Sequence, residues 1–191
     1  MTLLTVWNDT DPSTPVLQTR DFDTIRDVLA GLNARFSRWE LKELSAEPSQ
    51  EEVLAAYADE IAEVNREHGY TLVDAVSITR ADTDEYRELA AQARQKFLNE
   101  HQHDDDEDRF FARGSGVFYL HADDKVHAVF CEPGDVLSVP KDTTHWFDMG
   151  TNPDYVSVRF FHDDDGWVGH FTGSDVAAKF ATYDELASVS A

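Results

Sequence analysis

Cysteine occurs once, at Cys131. A lone thiol rules out an internal disulfide and a thiolate metal cluster, leaving histidine and carboxylate as the available metal ligands. Positive charge is scarce too: 16 lysines and arginines stand against 38 aspartates and glutamates, a formal charge of -22. Such a surface repels phosphate backbones and anionic lipid headgroups, so neither nucleic acid nor membrane is an expected partner. No apolar run approaches the roughly eighteen residues of a membrane span. The opening MTLLTVWNDTDP also lacks a basic region leading into an apolar signal core, so the expected location is the cytoplasm. What the composition does contain, 41% hydrophobic and 12% aromatic residues, suffices for one domain with a sizeable core.

Read in order, the chain changes its period once. MTLLTVW has the apolar and β-branched composition of a strand, and NDTDPSTP after it is a cluster of turn formers. Phe22, Ile25, Val28, Leu29 and Leu32 recur at helical spacing, and RFSRWEL reads as a further strand. Ser49 and Glu52 make a capping box for a helix carrying Val53, Ala56, Tyr57, Ile61 and Val64 on one face, ending at His68-Gly69. YTLVDAVSIT reads as extended, and Thr83 caps a helix through Tyr86, Leu89, Ala93 and Phe97. From Arg109 onward the period is two, with Gly- or Pro-containing turns about every ten residues, as in a small barrel or jelly roll. Residues 175–186 read as a closing helix. The expected fold is mainly β with added helices, in a single domain over 1–191. It divides into a strand- and helix-rich part at 1–98, a barrel core with a metal site at 99–172, and a C-terminal helical segment at 173–191.

The chemistry concentrates in HQHDDDEDR, where His101, His103 and Glu107 stand at even-numbered offsets within seven residues. In an extended strand all three side chains leave the same face, forming a divalent-metal site that wants one more ligand. His145 in PKDTTHWFDMG is the best downstream donor. Three imidazoles and one carboxylate suit Fe, Ni, Mn or Zn, and the affinity order alone does not choose among them. The competing reading is a solvated acidic turn, and Asp104, Asp105, Asp106 and Asp108 themselves read as surface charge. Arg109, two residues past Glu107 on the same strand face, either serves the site or pairs with an acidic neighbour. Arg159 is a second candidate cation. Phe147 and Trp167 are candidates for an apolar pocket wall, whereas Phe110 reads as core. His68, His121, His127, His162 and His170 lack the motif spacing and read as structural or exposed, and Cys131 as a buried small residue.

The spacing HxH, three residues, Glu107, six residues, Gly114 resembles the first motif of the cupin superfamily. After nineteen intervening residues, Gly134, five residues, Pro140 and then His145 resemble the second. Asp142 stands where that motif usually has glycine, and Met149 where it often has asparagine. Within the superfamily, the run KFLNEH, then HxH and EDRFFARGSGVFYLH, with a PxDxxHWFD segment, resembles the acireductone dioxygenase family of methionine salvage over nearly the whole chain. The resemblance implies a cupin (jelly-roll) β-barrel with N-terminal helical elements. It implies an oxidoreductase with one Fe2+ or Ni2+ per chain, held by His101, His103, Glu107 and His145. Arg109 becomes a catalytic residue that helps to produce and hold a dianionic substrate. The implied partners are acireductone (1,2-dihydroxy-3-keto-5-methylthiopentene) and O2, acted on by a monomer. Iron would give formate and 4-methylthio-2-oxobutanoate; nickel would give CO, formate and 3-methylthiopropanoate. Two other readings stay open, another cupin oxygenase or isomerase acting on a small enediol or diketone, and a noncatalytic small-molecule-binding cupin.

Overall fold

The computed structural model describes residues 1–162 and 168–190. The chain opens with β1 (Leu3–Asn8), β2 (Leu17–Thr19), α1 (Phe22–Ala30) and β3 (Arg35–Arg38). It continues through α2 (Gln50–Ala56), α3 (Ala58–His68), β4 (Leu72–Ile78) and α4 (Asp84–Phe97). The strands β5 (His101–Gln102), β6 (Glu107–Arg113), β7 (Gly116–Ala122), β8 (Lys125–Cys131) and β9 (Asp135–Val139) follow. After β10 (His145–Asp148), β11 (Tyr155–Phe161) and β12 (His170–Phe171), a 3-10 turn at Val176–Lys179 leads to α5 (Tyr183–Ser190).

The strands form a seven-stranded sheet in the order β12-β5-β10-β7-β8-β1-β2 and a five-stranded sheet in the order β3-β9-β6-β11-β4. Apolar side chains from both, among them Leu4, Phe111, Phe118, Leu120, Val129 and Phe147, meet between them. The outer faces are covered as well. Trp7, Tyr119 and Trp146 pack against Val176, Phe180 and Leu186 at the C-terminus, while Phe110, Val158 and Phe160 pack against Val53 of α2 and Tyr57. Each fully buried phenylalanine contributes about 1.5–3 kcal/mol relative to exposure. Cys131 lies buried in the interior cluster, and burial pushes its thiol well above the usual range.

The barrel is not confined to 99–172. β1 pairs along its length with β8, Leu3 opposite Phe130 through Asn8 opposite Lys125. β3 and β4 form the two edges of the five-stranded sheet through β9 and β11. Strands from the first 98 residues therefore complete both sheets, because only long-range pairing satisfies the edges that residues 99–172 leave open.

Helix starts follow their caps. Asp21 accepts from Thr24 N at 2.8 Å, Ser49 from Glu52 N at 3.1 Å, and Thr83 from Tyr86 N at 3.1 Å. The single helix expected from Ser49 to Gly69 instead breaks at Tyr57, whose φ of -106° and ψ of 23° leave the helical range. The Tyr57 ring is fully buried 4.6 Å from that of Phe110, and its hydroxyl accepts from Lys42 N at 3.0 Å. This tertiary anchoring outweighs one turn of helix. Glu52, expected to close a capping box on Ser49, accepts from Ser45 N at 2.6 Å. The C-terminal helix begins later than expected, at Tyr183, where Thr182 N donates to Glu185 at 2.8 Å and Glu185 N donates back to the Thr182 hydroxyl at 3.4 Å.

Two backbone positions matter for the site. Gly114 has φ +69°, and a Cβ there would stand 1.9 Å from the Asp154 carbonyl oxygen, so the turn into β7 accepts only glycine. Asp142 has φ 62° and donates its N–H to the His103 carbonyl at 2.8 Å. It occupies the left-handed conformation that glycine adopts freely, at a cost of about 1 kcal/mol.

Candidate metal centre

The expectation that one extended strand presents His101, His103 and Glu107 is replaced by a different geometry. β5 belongs to the seven-stranded sheet and β6 to the five-stranded one. The chain therefore crosses between sheets at 103–106, and these side chains converge because the sheets face each other. His145 on β10 is the cross-strand partner of His101. One oxygen or nitrogen from each of His101, His103, Glu107 and His145 lies within 4.8 Å of all the others, and all four residues are buried.

The acidic run holds this crossover in place. Asp105 accepts the backbone N–H of His162 at 2.9 Å and also meets its Nδ1, and Asp106 accepts Lys141 N at 2.9 Å. Asp108 is buried and pairs with Arg35 at 2.9 Å. Of the four aspartates read as surface charge, only Asp104 fits that description, with a side chain 85% exposed. The unassigned histidines take structural or exposed places. His121 contacts Glu100 at 2.6 Å, His127 is buried on β8, His162 ties down the crossover, and His170 is exposed.

The three imidazoles are oriented alike. Nδ1 of His101 lies 2.7 Å from the Asn99 carbonyl oxygen, that of His103 2.9 Å from Val168, and that of His145 2.7 Å from Thr143. Donating Nδ1–H to a carbonyl fixes the tautomer and turns the Nε2 lone pair toward the centre. Sequence reasoning missed these three acceptors, since a main-chain carbonyl leaves no mark in residue identity. Burial lowers the His101 pKa to about 4, so its ring is neutral near neutral pH. Burial also disfavours charge on His103, but its contact with Glu107, 3.2 Å from Nε2, raises it overall. For Glu107, burial pushes upward, yet Arg109, His103 and His145 hold the carboxyl well below its usual range.

Arg109 points to the same interior, with Nη2 2.9 Å from Glu107 Oε1. Its guanidinium carbon stands 4.4 Å from the Phe147 ring centroid and 5.1 Å from that of Phe118. Phe147 is thus buried as a platform for Arg109, and Phe118, two residues along β7 from Leu120 on the same face, completes it. Arg159 sits directly opposite Arg109 across β11 and β6, which directs both to one face, and it grips Asp74 through two contacts of 2.8 and 2.6 Å. Phe110 belongs to the outer core, as its reading as core requires. Trp167 lies outside the described residues.

The cluster is close to the dimensions of a coordination sphere, slightly wider at its largest separation. Ligands bound at about 2.1 Å stand about 3 Å apart at right angles and about 4.2 Å apart when opposed. Glu107 Oε2 already lies 3.1 Å from His145 Nε2 and 3.2 Å from His103 Nε2. Three oriented imidazoles and one carboxylate suit a divalent transition metal. A buried centre of this kind between two antiparallel sheets defines a cupin-type metalloprotein.

Similarity to known proteins narrows that class. The ARD/ARD' family profile matches residues 5–169, and the chain belongs to this family. It is 59% identical to an acireductone dioxygenase of Saccharopolyspora erythraea, over 97% of this chain and 98% of that protein. It is 50% identical to one of Frankia alni, over 98% and 91%. The fold is similar to that of acireductone dioxygenase from Bacillus anthracis with a cadmium ion in its active centre. That comparison gives a TM-score of 0.74 and 25% identity over 90% of this chain and 98% of that one. No helix among the described residues is long and apolar enough to cross a membrane.

Proposed function

We propose that this protein is a metal-dependent dioxygenase that cleaves acireductone, 1,2-dihydroxy-3-keto-5-methylthiopentene, with O2 in methionine salvage. The observation that carries the reading is the buried cluster of His101, His103, Glu107 and His145, with the guanidinium of Arg109 fixed beside it. In this reading those four residues hold one Fe2+ or Ni2+. The bound ion supplies the Lewis acidity that favours a deprotonated enediol and brings it together with O2.

The chain's own residues do the rest. Carbonyl oxygens of Asn99, Val168 and Thr143 keep the three Nε2 atoms available as ligands. Glu107, held in its carboxylate form, supplies the one negative charge of the set. Arg109 adds positive charge where the enediol loses its protons, and its seat on Phe147 and Phe118 holds that charge in position before substrate arrives. Burial of all four ligands excludes bulk water, which strengthens these interactions. Arg159 extends the cationic wall, its charge shared with Asp74. Each chain carries a complete ligand set, so a monomer suffices. A single, buried cysteine supports a cytoplasmic setting.

The test is anaerobic reconstitution of metal-free protein with Fe(II) or Ni(II), followed by acireductone and oxygen, with products identified by mass spectrometry and headspace analysis. The expected result is formate and 4-methylthio-2-oxobutanoate from the iron form. The nickel form should give CO, formate and 3-methylthiopropanoate, with CO from no other form. Bound metal without oxygen uptake would replace this reading with a binding module.

A further inference from the structure

Phe171 is 58% exposed, and no other Phe, Tyr or Trp among the described residues is as exposed. Its backbone is nonetheless fixed. β12 is the edge strand paired to β5, with Phe171 directly opposite His101, and Thr172 binds Glu100 twice, N–H to carbonyl at 3.1 Å and hydroxyl to carboxylate at 2.7 Å. Glu100 is itself buried and held by His121 at 2.6 Å. Directly opposed residues of an antiparallel pair project to the same face. The Phe171 ring accordingly stands 5.6 Å from the His101 ring, on the side from which His101 reaches the metal centre. Gly169 leaves this edge open, since a Cβ there would lie 3.7 Å from both His101 and Phe171. Three residues before Phe171, the Val168 carbonyl accepts from His103. One short segment therefore orients a metal ligand and presents an uncovered aromatic ring beside another.

Among the described residues, the aromatic rings around Arg109 are buried. Phe118 and Phe147 carry Arg109, and Phe111 is fully buried among them. Among the described residues, Phe171 is the one exposed apolar aromatic ring next to the cluster, three residues on from the likewise exposed side chain of Val168 flanking Gly169, and no packing within the described residues accounts for its exposure. We infer that Phe171 is a specificity residue that covers the apolar tail of the substrate while the enediol head occupies the metal and Arg109. This rests on the proposed acireductone activity. A flexible thioether tail matches an aromatic edge well, because sulfur is polarizable and makes favourable contacts with ring edges.

The experiment compares the iron-loaded wild type, Phe171→Ala and Phe171→Leu on two acireductones. One carries the methylthioethyl tail and the other a methyl group in its place. Phe171→Ala is expected to lower kcat/KM about tenfold on the long-tailed substrate, mainly through KM, with less than about a twofold change on the short one. Phe171→Leu should keep most of the preference, and metal content should be equal in all three proteins. Equal losses on both substrates, or no loss on either, would overturn the assignment. A wild type inactive on both substrates would instead overturn the activity on which it rests, and the assignment with it.

Discussion

Two buried carboxylates sit side by side on β6 and face opposite ways. Glu107 points between the sheets to Arg109, and both side chains are nearly inaccessible, at 5% and 3% exposure. Asp108 points outward to Arg35, and there only the carboxylate is buried, at 5%, while its arginine is 45% exposed. The consequences for titration are opposite. Burial raises both carboxyls. For Glu107 it is overcome by Arg109 and two imidazoles, whereas for Asp108 the hydrogen bond from Ser138 and the charge of Arg35 only partly offset it. Burial alone thus does not decide a carboxylate's state, because the depth of its cation matters as much. Glu107 is kept charged beside the three imidazoles, and Asp108 is a structural group whose charge the fold tolerates poorly.

Glu107→Gln should break this contrast most severely. It removes the one anion among the four proposed ligands and leaves Arg109 buried without its carboxylate. Metal content measured by elemental analysis should fall to trace levels, turnover should vanish, and urea unfolding of the metal-free protein should show a loss of about 3–5 kcal/mol. Retention of stoichiometric metal would mean that Glu107 is no ligand. Arg109→Lys is a milder change that keeps the charge but loses the planar group seated on Phe147 and Phe118. Metal content should stay constant while kcat drops about a hundredfold.

Asp108→Asn should have the smallest effect, with metal content and activity unchanged. Its signature is in pH dependence. A carboxyl whose folded pKa is raised makes the native state bind protons more tightly than the unfolded chain, so its contribution to stability falls as pH rises from the ordinary carboxylate range through the raised value. Glu107 acts in the opposite sense, its contribution being present above the ordinary range and lost as pH falls through the lowered value. Thermal melts of metal-free protein between about pH 4 and 7 should therefore show a flatter alkaline side in Asp108→Asn, by about 1 kcal/mol or less. An unchanged profile would show that Asp108 does not titrate as its burial requires.

The same two residues mark what the sequence reveals and what it hides. Glu107 stands in a local spacing with His101, His103 and Gly114 that any reader of the chain can find. Asp108 sits in a run of like residues and reads as solvated, because nothing nearby announces Arg35, 73 residues upstream. The four residues that cluster were legible, but their geometry was not. HxH fits a strand face and a crossover equally well, and which one forms depends on β5 and β6 joining different sheets. Periodicity failed similarly at Tyr57, since Val53, Tyr57, Ile61 and Val64 keep one helical face straight through a break imposed by contacts with Trp39 and Phe110. The strand composition of MTLLTVW was plain, whereas its partnership with β8 is a long-range matter that alternation does not encode.

The carbonyls that orient the three imidazoles belong to Asn99, Thr143 and Val168. Every amino acid brings a carbonyl, proline included. Substitution at those three positions therefore leaves the acceptors in place so long as the chain keeps its path. Had side-chain carboxylates done this work, each would be a further point at which a single mutation could disable the centre. For these three positions the centre depends on the path of the backbone rather than on the identity of a side chain.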